Sequence, residues 1–283
     1  MKNILVVGAT GYLGKFIIKE LKKQDFWVRA LVRNAAKLND IKDQIDDIFL
    51  AEVTTPISLN DVCKDIDIVI SALGITKQKD GLSYMDVDFQ GNLNILTEAK
   101  KSGVSKFIYV SALDGDNLKN LKIFTAKELF VQKLQQSDLD YCVIRPNGFF
   151  SDMKEFLEMA KKGKAYLFGD GTCKINPIHG VDLAEFIVKN LETTETEMNV
   201  GGPELLVQKQ IAELAFRVLG KTAKFSFMPL WTVKFSLWFL RSFTSAKTYG
   251  PLEFMMTVLT RDMIAPEYGK HYLENYFKES LQI

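Results

Sequence analysis

The sequence predicts an α/β fold built on a doubly wound parallel sheet, and three observations support this class. Short apolar runs alternate with stretches of helical periodicity through the first half of the 283-residue chain, which is typical of successive strand–helix units. These runs are apolar at nearly every position, as expected for strands covered on both faces. The first run, Ile4–Val7, leads directly into a glycine-rich turn and then into a helical pattern.

The predicted elements follow in order along the chain. The strand candidates of the first half are Ile4–Val7, Trp27–Val32, Ile48–Ala51, Ile66–Ser71, Phe107–Ser111 and Tyr141–Ile144. The clearest helices between them are Val87–Ser102 and Thr125–Gln136. The second half is predicted to hold a helix from about Asp182, a strand Met198–Val200, and a helix Gln208–Leu219 that stops at Gly220, a favourable C-terminal cap.

The turn between the first strand and the first helix reads Gly8-Ala9-Thr10-Gly11-Tyr12-Leu13-Gly14. This strand–turn–helix order brings backbone N–H groups and a helix N-terminus against a diphosphate. Gly8 allows the tight turn, Gly11 leaves room for the pyrophosphate, and Gly14 lets the helix pack closely on the strand. The turn therefore predicts a dinucleotide site.

The alternation changes after Pro146, so we expect one domain, residues 1–283, with a dependent lobe. The sheet core is expected mainly in residues 1–146 and 176–203, and a small α/β C-terminal lobe mainly in 147–175 and 204–283. Ligands of such sheets bind at the carboxyl ends of the strands. We therefore expect the lobe to pack over those ends and to bind the substrate.

Residues 225–243 form the most apolar stretch of the second half, interrupted by Lys234 and Arg241. It is short for a membrane span. Three interpretations stay open: a buried helix, an apolar lid over a substrate, or a helix lying on a membrane surface.

Composition excludes several classes. Lys and Arg number 36 and Asp and Glu 35, a net charge of +1, which gives no indication of a nucleic-acid partner. The three cysteines lie far apart and there are only two histidines, so we expect neither a metal site nor a disulfide framework. This cysteine usage and the lack of a visible signal peptide predict a cytoplasmic protein.

The end of the second strand predicts the choice of cofactor. NAD-preferring folds usually place Asp or Glu there to bind the ribose 2′-hydroxyl. This chain has Arg33 instead, with Lys37 one turn later, and a guanidinium suits a phosphate. The position favours NADP (NADPH). Ser71-Ala72-Leu73-Gly74 ends the fourth strand, and the small residues there would let the cofactor's phosphoribose pass over the sheet.

Together the Gly8–Gly14 turn, Arg33, Ser111, Lys127 and Arg145-Pro146 resemble the atypical branch of the short-chain dehydrogenase/reductase superfamily. The resemblance covers almost the whole chain and is strongest to NmrA-like proteins. In the second half the chain is similar to the divinyl chlorophyllide reductase group, through segments 141–150, 166–171, 176–186 and 201–203.

This resemblance implies a Rossmann-type sheet and a set of site residues. Lys127 is implied to bond the nicotinamide ribose and Ser111 a substrate oxygen. The loop with Pro146 and Phe149 is implied to line the nicotinamide, and Val53 to lie by the adenine.

One departure affects the chemistry. The acid of the family is a Tyr four residues before the Lys, and here that position is Ile123. Isoleucine cannot donate a proton, so the usual mechanism lacks its main acid.

Two functions remain open at this point. The first is an NADP-dependent oxidoreductase acting on a hydrophobic small molecule, and the alternative is an NADP-sensing regulatory or assembly protein without turnover. Contact with a membrane surface through 225–243 is a third possibility, and the oligomeric state is left open.

Overall fold

The computed structural model describes residues 1–76 and 81–281, which fall into two compact units. The first unit comprises Met1–Arg145 and Leu183–Met198, and the second comprises Pro146–Asp182 and Asn199–Ile283. In the part of the chain that the structure describes, no helix has the length and apolar character needed to span a bilayer.

The first unit is built on a seven-stranded sheet, which confirms the predicted α/β class. Its strands are β1 (Asn3–Val7), β2 (Trp27–Val32), β3 (Asp47–Leu50), β4 (Ile68–Ser71), β5 (Lys106–Val110), β6 (Asp140–Pro146) and, later in the chain, β9 (Glu197–Val200). Their order in the sheet is β3-β2-β1-β4-β5-β6-β9. The pairs among β1 to β6 are parallel, so their carboxyl ends share one edge.

The helices of this unit are α1 (Tyr12–Lys23), α2 (Asn92–Lys101), α3 (Lys122–Gln135) and most of α5 (Gly180–Lys189). A π-helix, Met85–Gly91, runs directly into α2. Apolar residues of the sheet, such as Leu5 and Phe107, pack with Ile95 of α2 and Phe130 of α3 in one fully buried cluster. The core thus fixes α2 and α3 against the sheet.

The second unit contains short strands and five helices among its described residues. The strands are β7 (Ala165–Phe168), β8 (Lys174–Ile175), β10 (Leu206–Val207) and β11 (Phe225–Met228); β7 pairs with β11 in parallel and β8 with β10 antiparallel. The helices are α4 (Lys154–Lys161), α6 (Gln208–Val218), α7 (Leu230–Phe243), α8 (Ala246–Val258) and α9 (Leu273–Glu279).

Two predicted elements need correction. The stretch 225–243 is not one helix, because Phe225–Met228 pairs as a strand with β7 before α7 begins. The buried-helix interpretation is wrong for the rest, since only Val233 is buried among the residues of α7. The predicted helix Val87–Ser102 begins as a π-helix, whose different spacing the apolar pattern did not reveal.

Candidate functional site

The glycine turn joins β1 to α1 and lies against the residue that follows β4. Gly8 has a φ of 83°, a left-handed conformation that glycine adopts without strain. A Cβ at Gly8 would lie 2.7 Å from the carbonyl oxygen of Ala72, and one at Gly14 would collide with that of Gly8. The backbone is therefore packed so closely that neither position accepts a side chain.

The N-terminus of α1 is open to an anion. Gly11 is the N-cap residue, no side chain caps the helix, and its first turn holds no acidic residue. Thr10 and Tyr12 flank Gly11 and are partly exposed, whereas Leu13 is buried in the core. The N–H groups of a helix's first turn and the positive end of its dipole attract a phosphate. A dinucleotide's diphosphate fits this cradle because the first turn of α1 carries no carboxylate of its own.

The two basic residues after β2 both lie at the surface. Arg33 follows the strand, and Lys37 lies in the short 3-10 helix Ala35–Leu38. Arg33 Nη1 is 3.6 Å from Glu52 Oε2, with the arginine side chain 54% exposed. Ion pairs this exposed contribute little free energy. The guanidinium can therefore exchange Glu52 for a phosphate at small cost.

Val53 and Leu73 come together at the end of the π-helix. A Cβ at Gly91 would lie 3.1 Å from Val53 Cγ2 and 3.2 Å from Leu73 Cδ2. The Asn94 side chain donates to the Val53 carbonyl at 2.8 Å, which fixes the loop after β3. Two of the predicted cofactor residues are thus neighbours beside the carboxyl end of β4.

A buried ion pair lies directly under Gly74. Lys127 Nζ is 3.0 Å from Asp88 Oδ1, with the side chains 11% and 0% exposed. The Ile75 N–H donates to Asp88 Oδ2 at 3.1 Å. A Cβ at Gly74 would lie 2.7 Å from Asp88 Oδ1 and 2.9 Å from Lys127 Nζ. The bare backbone after β4 therefore covers the ion pair.

The charges of this pair are coupled. Burial raises the pKa of the Asp88 carboxyl, and the Lys127 ammonium opposes that rise. For Lys127, burial lowers the pKa, but Tyr109 and Asp88 more than offset it, so its pKa lies above that of a free lysine. Lys127 is consequently an ammonium whose charge is balanced by one carboxylate.

No acid takes the place of the missing tyrosine at its usual position. Ile123 lies one turn before Lys127 on α3 and is 6% exposed. Tyr109 is fully buried nearby, with Lys127 Nζ 5.6 Å from its ring centroid. Burial raises the pKa of Tyr109 to about 12, although Lys127 opposes the rise. A buried phenol of this kind is a poor proton donor at neutral pH.

Ser111 lies in a different cluster from Lys127. Its hydroxyl donates to Glu128 Oε1 at 3.3 Å, and Arg145 Nη1 lies 3.4 Å from the same oxygen of Ser111. Arg145 binds Glu128 through both terminal nitrogens and contacts Glu197 through Nε at 2.8 Å. Ser111 is 5% exposed. The structure thus attaches Ser111 to a buried ion-pair network.

Pro146 and Phe149 belong to the second unit. Pro146 is the last residue of β6, and Phe149 forms an isolated bridge with Ile178. The Phe149 N–H is 3.2 Å from Asp152 Oδ2. Their predicted place beside the nicotinamide stays a prediction.

His179, which precedes the Asp182 helix, lies in an aromatic cluster of the second unit. Its ring stacks on that of His271 at 4.6 Å and lies near Phe150 and Tyr276. Burial, and then the nearby His271, lower the pKa of His179 to about 4. A neutral, packed imidazole of this kind has a structural role.

Asp88 is the residue that the sequence reasoning missed. It lies at the start of the predicted helix Val87–Ser102, where an aspartate is commonly a first-turn carboxylate. A signal was present in the sequence, because Asp88, Asn92, Ile95 and Ala99 recur at helical spacing and so fall on one predicted face. A carboxylate on an apolar helical face needs a partner, and Lys127 is that partner.

Comparison with known proteins agrees with this geometry. A family model described as NAD(P)H-binding matches residues 8–194. The chain is 29% identical to divinyl chlorophyllide a 8-vinyl-reductase, chloroplastic, from Cucumis sativus, over 99% of this chain and 76% of that protein. It is 27% identical to photosystem II assembly factor Ycf39 from Guillardia theta, over 81% of this chain and 74% of that protein.

A solved structure shares the fold over nearly the full length. It is the NADPH-dependent quinone oxidoreductase QOR2 from Escherichia coli, complexed with NADPH. Its TM-score is 0.72 at 17% identity, and the match covers 98% of this chain and 99% of that one.

Proposed function

Because this chain belongs to the NAD(P)H-binding family, we propose that it is an NADP-dependent oxidoreductase that reduces or oxidises a hydrophobic small molecule. The observation that carries the proposal is the Asp88–Lys127 pair under Gly74, close to the carboxyl end of β4. Buried charged groups at that edge of a parallel sheet are typical of a reaction site. The glycine turn lies against the neighbouring residue, Ala72.

In this proposal the chain's own residues bind and orient. The open N-terminus of α1 binds the diphosphate, and Arg33 with Lys37 binds the 2′-phosphate. Val53 and Leu73 contact the adenosine half. Lys127 donates hydrogen bonds to the nicotinamide ribose, and Asp88 fixes the direction of its ammonium. When bound, the nicotinamide supplies or accepts the hydride.

Because Ile123 cannot act as an acid, fewer kinds of functional group could be reduced at this site. A carbonyl reduced to an alcohol needs a proton on its oxygen in the transition state. An activated carbon–carbon double bond, as in an enone or a quinone, spreads the developing charge over a conjugated system and takes its proton from solvent. We therefore favour a conjugated acceptor, in line with the vinyl-reductase and quinone-oxidoreductase names of two similar proteins.

Ser111 and the nicotinamide loop have lesser parts in the proposal. Ser111 acts through Glu128, to which it donates, and so positions the loop after β5. Pro146 and Phe149 retain their predicted place beside the nicotinamide. We place the protein in the cytoplasm, since Cys63, Cys142 and Cys173 are all free thiols, as a reducing compartment keeps them.

The test is NADPH consumption by the purified chain against a panel of enones, quinones and ketones. We expect turnover with a conjugated member and none after Lys127→Met, measured by the loss of NADPH absorbance. If the protein bound NADPH but turned over no compound of the panel, the oxidoreductase proposal would be contradicted.

A second candidate is an NADP-sensing regulatory or assembly protein without turnover. It is favoured by Ile123, which removes the usual acid, and by the assembly-factor name of one relative. Calorimetry with NADP⁺ and NADPH distinguishes the two candidate functions. A protein that only senses whether a nucleotide is bound is expected to bind both forms with equal affinity.

A further inference from the structure

The helix α7 presents an aromatic face to solvent. Val233 is its buried residue, and the opposite face carries Trp231, Phe235 and Trp238 at i, i+4 and i+7 spacing. These three side chains are 69%, 58% and 60% exposed. Scattered exposed apolar residues are ordinary, but a contiguous aromatic patch marks a surface that binds something.

The patch continues towards the end of the helix and onto α8. The rings of Phe239 and Phe243 are tilted against each other, with centroids 4.7 Å apart, and both side chains are exposed. A shallow apolar groove beside them is lined by Phe235, Phe239, Leu240, Leu252 and Met256. A fluid apolar partner can fill such a groove without a matching rigid shape.

The charged residues of α7, Lys234 and Arg241, are both basic. From Leu214 to Leu252 the sequence has no Asp or Glu, and its Lys and Arg residues are Arg217, Lys221, Lys224, Lys234, Arg241 and Lys247. Arg241 pairs with the buried Glu253 and Arg217 with Glu274, which compensates those two charges. Lys234 is exposed at the edge of the aromatic face.

We propose that the α7 face, Leu230–Phe243, docks on the surface of an anionic lipid membrane. Tryptophan and phenylalanine partition into the interface between headgroups and acyl chains. A lysine at the edge of the face reaches the headgroups while its stem covers apolar surface. Basic residues near the surface add attraction to anionic lipids.

A second copy of the chain is the less suitable occupant of this face. A two-fold dimer brings the same patch of both subunits together. It would therefore bring the Lys234 residues of both copies to one interface, where like charges repel. An anionic bilayer complements both the aromatic centre and the basic edge.

The test uses the full chain with vesicles of phosphatidylcholine containing about one-third phosphatidylglycerol. Two of the three tryptophans lie in α7 and the third is Trp27, so their emission reports directly on this face. We expect a blue shift with these vesicles and co-sedimentation that weakens with salt. Pure phosphatidylcholine vesicles give the uncharged reference.

Three variants decide the outcome. Trp231→Ser with Trp238→Ser is expected to weaken binding at least about tenfold, whereas Tyr272→Ser, an exposed aromatic outside α7 that is 49% accessible, should leave it unchanged. Lys234→Gln is expected to weaken binding about fivefold on anionic vesicles alone. Unchanged NADPH affinity and melting temperature show that each variant is folded.

Two results would overturn the proposal. One is the absence of binding to anionic vesicles at low salt by folded protein. The other is self-association in sedimentation velocity that the double tryptophan variant abolishes, which would make a second copy the occupant. Neither readout depends on turnover, so the oxidoreductase proposal stands or fails separately.

Discussion

Lys127 and Glu128 are consecutive residues of α3, yet they belong to two buried ion pairs with different surroundings. Among the described residues the carboxylate partner of Lys127 is Asp88, and the pair lies under Gly74, just after β4. Glu128 binds Arg145 through two hydrogen bonds, and Arg145 also contacts Glu197. The first is a one-to-one pair, and the second is a network that ties α3 to β6 and β9.

The comparison shows that burial of charge does not by itself identify a reaction site. Both pairs are buried, and both lie under a glycine, Gly74 or Gly115, where a Cβ would collide with the charged atoms. They differ in where the covering glycine lies: Gly74 closely follows Ala72, against which Gly8 of the glycine turn packs, whereas Gly115 begins the 3-10 helix after β5. We therefore assign function to the Asp88–Lys127 pair and stability to the Glu128–Arg145 network.

The largest effect is expected from breaking the network. Glu128→Ala leaves the buried Arg145 with only the partly exposed Glu197, so we expect the free energy of unfolding to fall by about 3–4 kcal/mol, measured in urea. Replacing both partners, Glu128→Leu with Arg145→Met, should recover most of the loss. A variant of unchanged stability that has lost NADPH turnover would reverse our assignment.

The other pair should separate stability from activity. Lys127→Met leaves Asp88 buried without its partner, so we expect a loss of about 2–3 kcal/mol and at least about a hundredfold loss of turnover. Adding Asp88→Asn removes the uncompensated charge.

That double variant is the control. It should regain at least about 1 kcal/mol of stability while turnover stays low. If turnover returned together with stability, Lys127 would be a structural residue like Glu128.

Substitution of Arg33 tests how the site binds the 2′-phosphate of the cofactor. Arg33→Ser removes a charged phosphate contact worth about 1.5–3 kcal/mol, so we expect NADPH to bind about tenfold to a hundredfold more weakly in calorimetry. NADH affinity should change by less than about twofold, because NADH lacks the 2′-phosphate. Equal losses for both cofactors would remove Arg33 from the 2′-phosphate site.

The smallest effect is expected from substitution of Ser111. It tests whether Ser111 belongs to the Glu128–Arg145 network or contacts a substrate. Ser111→Ala removes one neutral-to-charged hydrogen bond in the Glu128–Arg145 network, so we expect about 1 kcal/mol less stability. A tenfold fall in kcat with normal stability would instead support the substrate contact that the family resemblance implies.

Local patterns made the sheet and the glycine turn predictable from the sequence. The strand Ile4–Val7 and the residues Gly8, Gly11 and Gly14 lie within a dozen positions, so their geometry depends on neighbours in the chain. The position of Arg33 directly after β2 was predictable for the same reason, since one strand–helix unit sets its distance from that turn.

Partners distant in the chain were not predictable. Asp88 and Lys127 are 39 positions apart, and only the packed core brings them together. The contacts of Ser111 with Glu128 and Arg145 were not predictable either, because nothing local indicates them. The substrate role that the family resemblance implies for Ser111 stays a prediction. The strand Phe225–Met228 could not be distinguished from helix, because four residues are too few to show a period.

The π-helix Met85–Gly91 has an evolutionary consequence. Such a segment corresponds to one residue inserted into an α-helix. Deleting one residue between Asp88 and Asn92 would restore regular winding, shift Asp88 by about 1.5 Å along the helix axis and turn it about that axis, away from its present place against Lys127. The ancestry of the Asp88–Lys127 pair is therefore expected to be recorded in insertions and deletions at this segment, and a lineage could lose the pair without exchanging either residue.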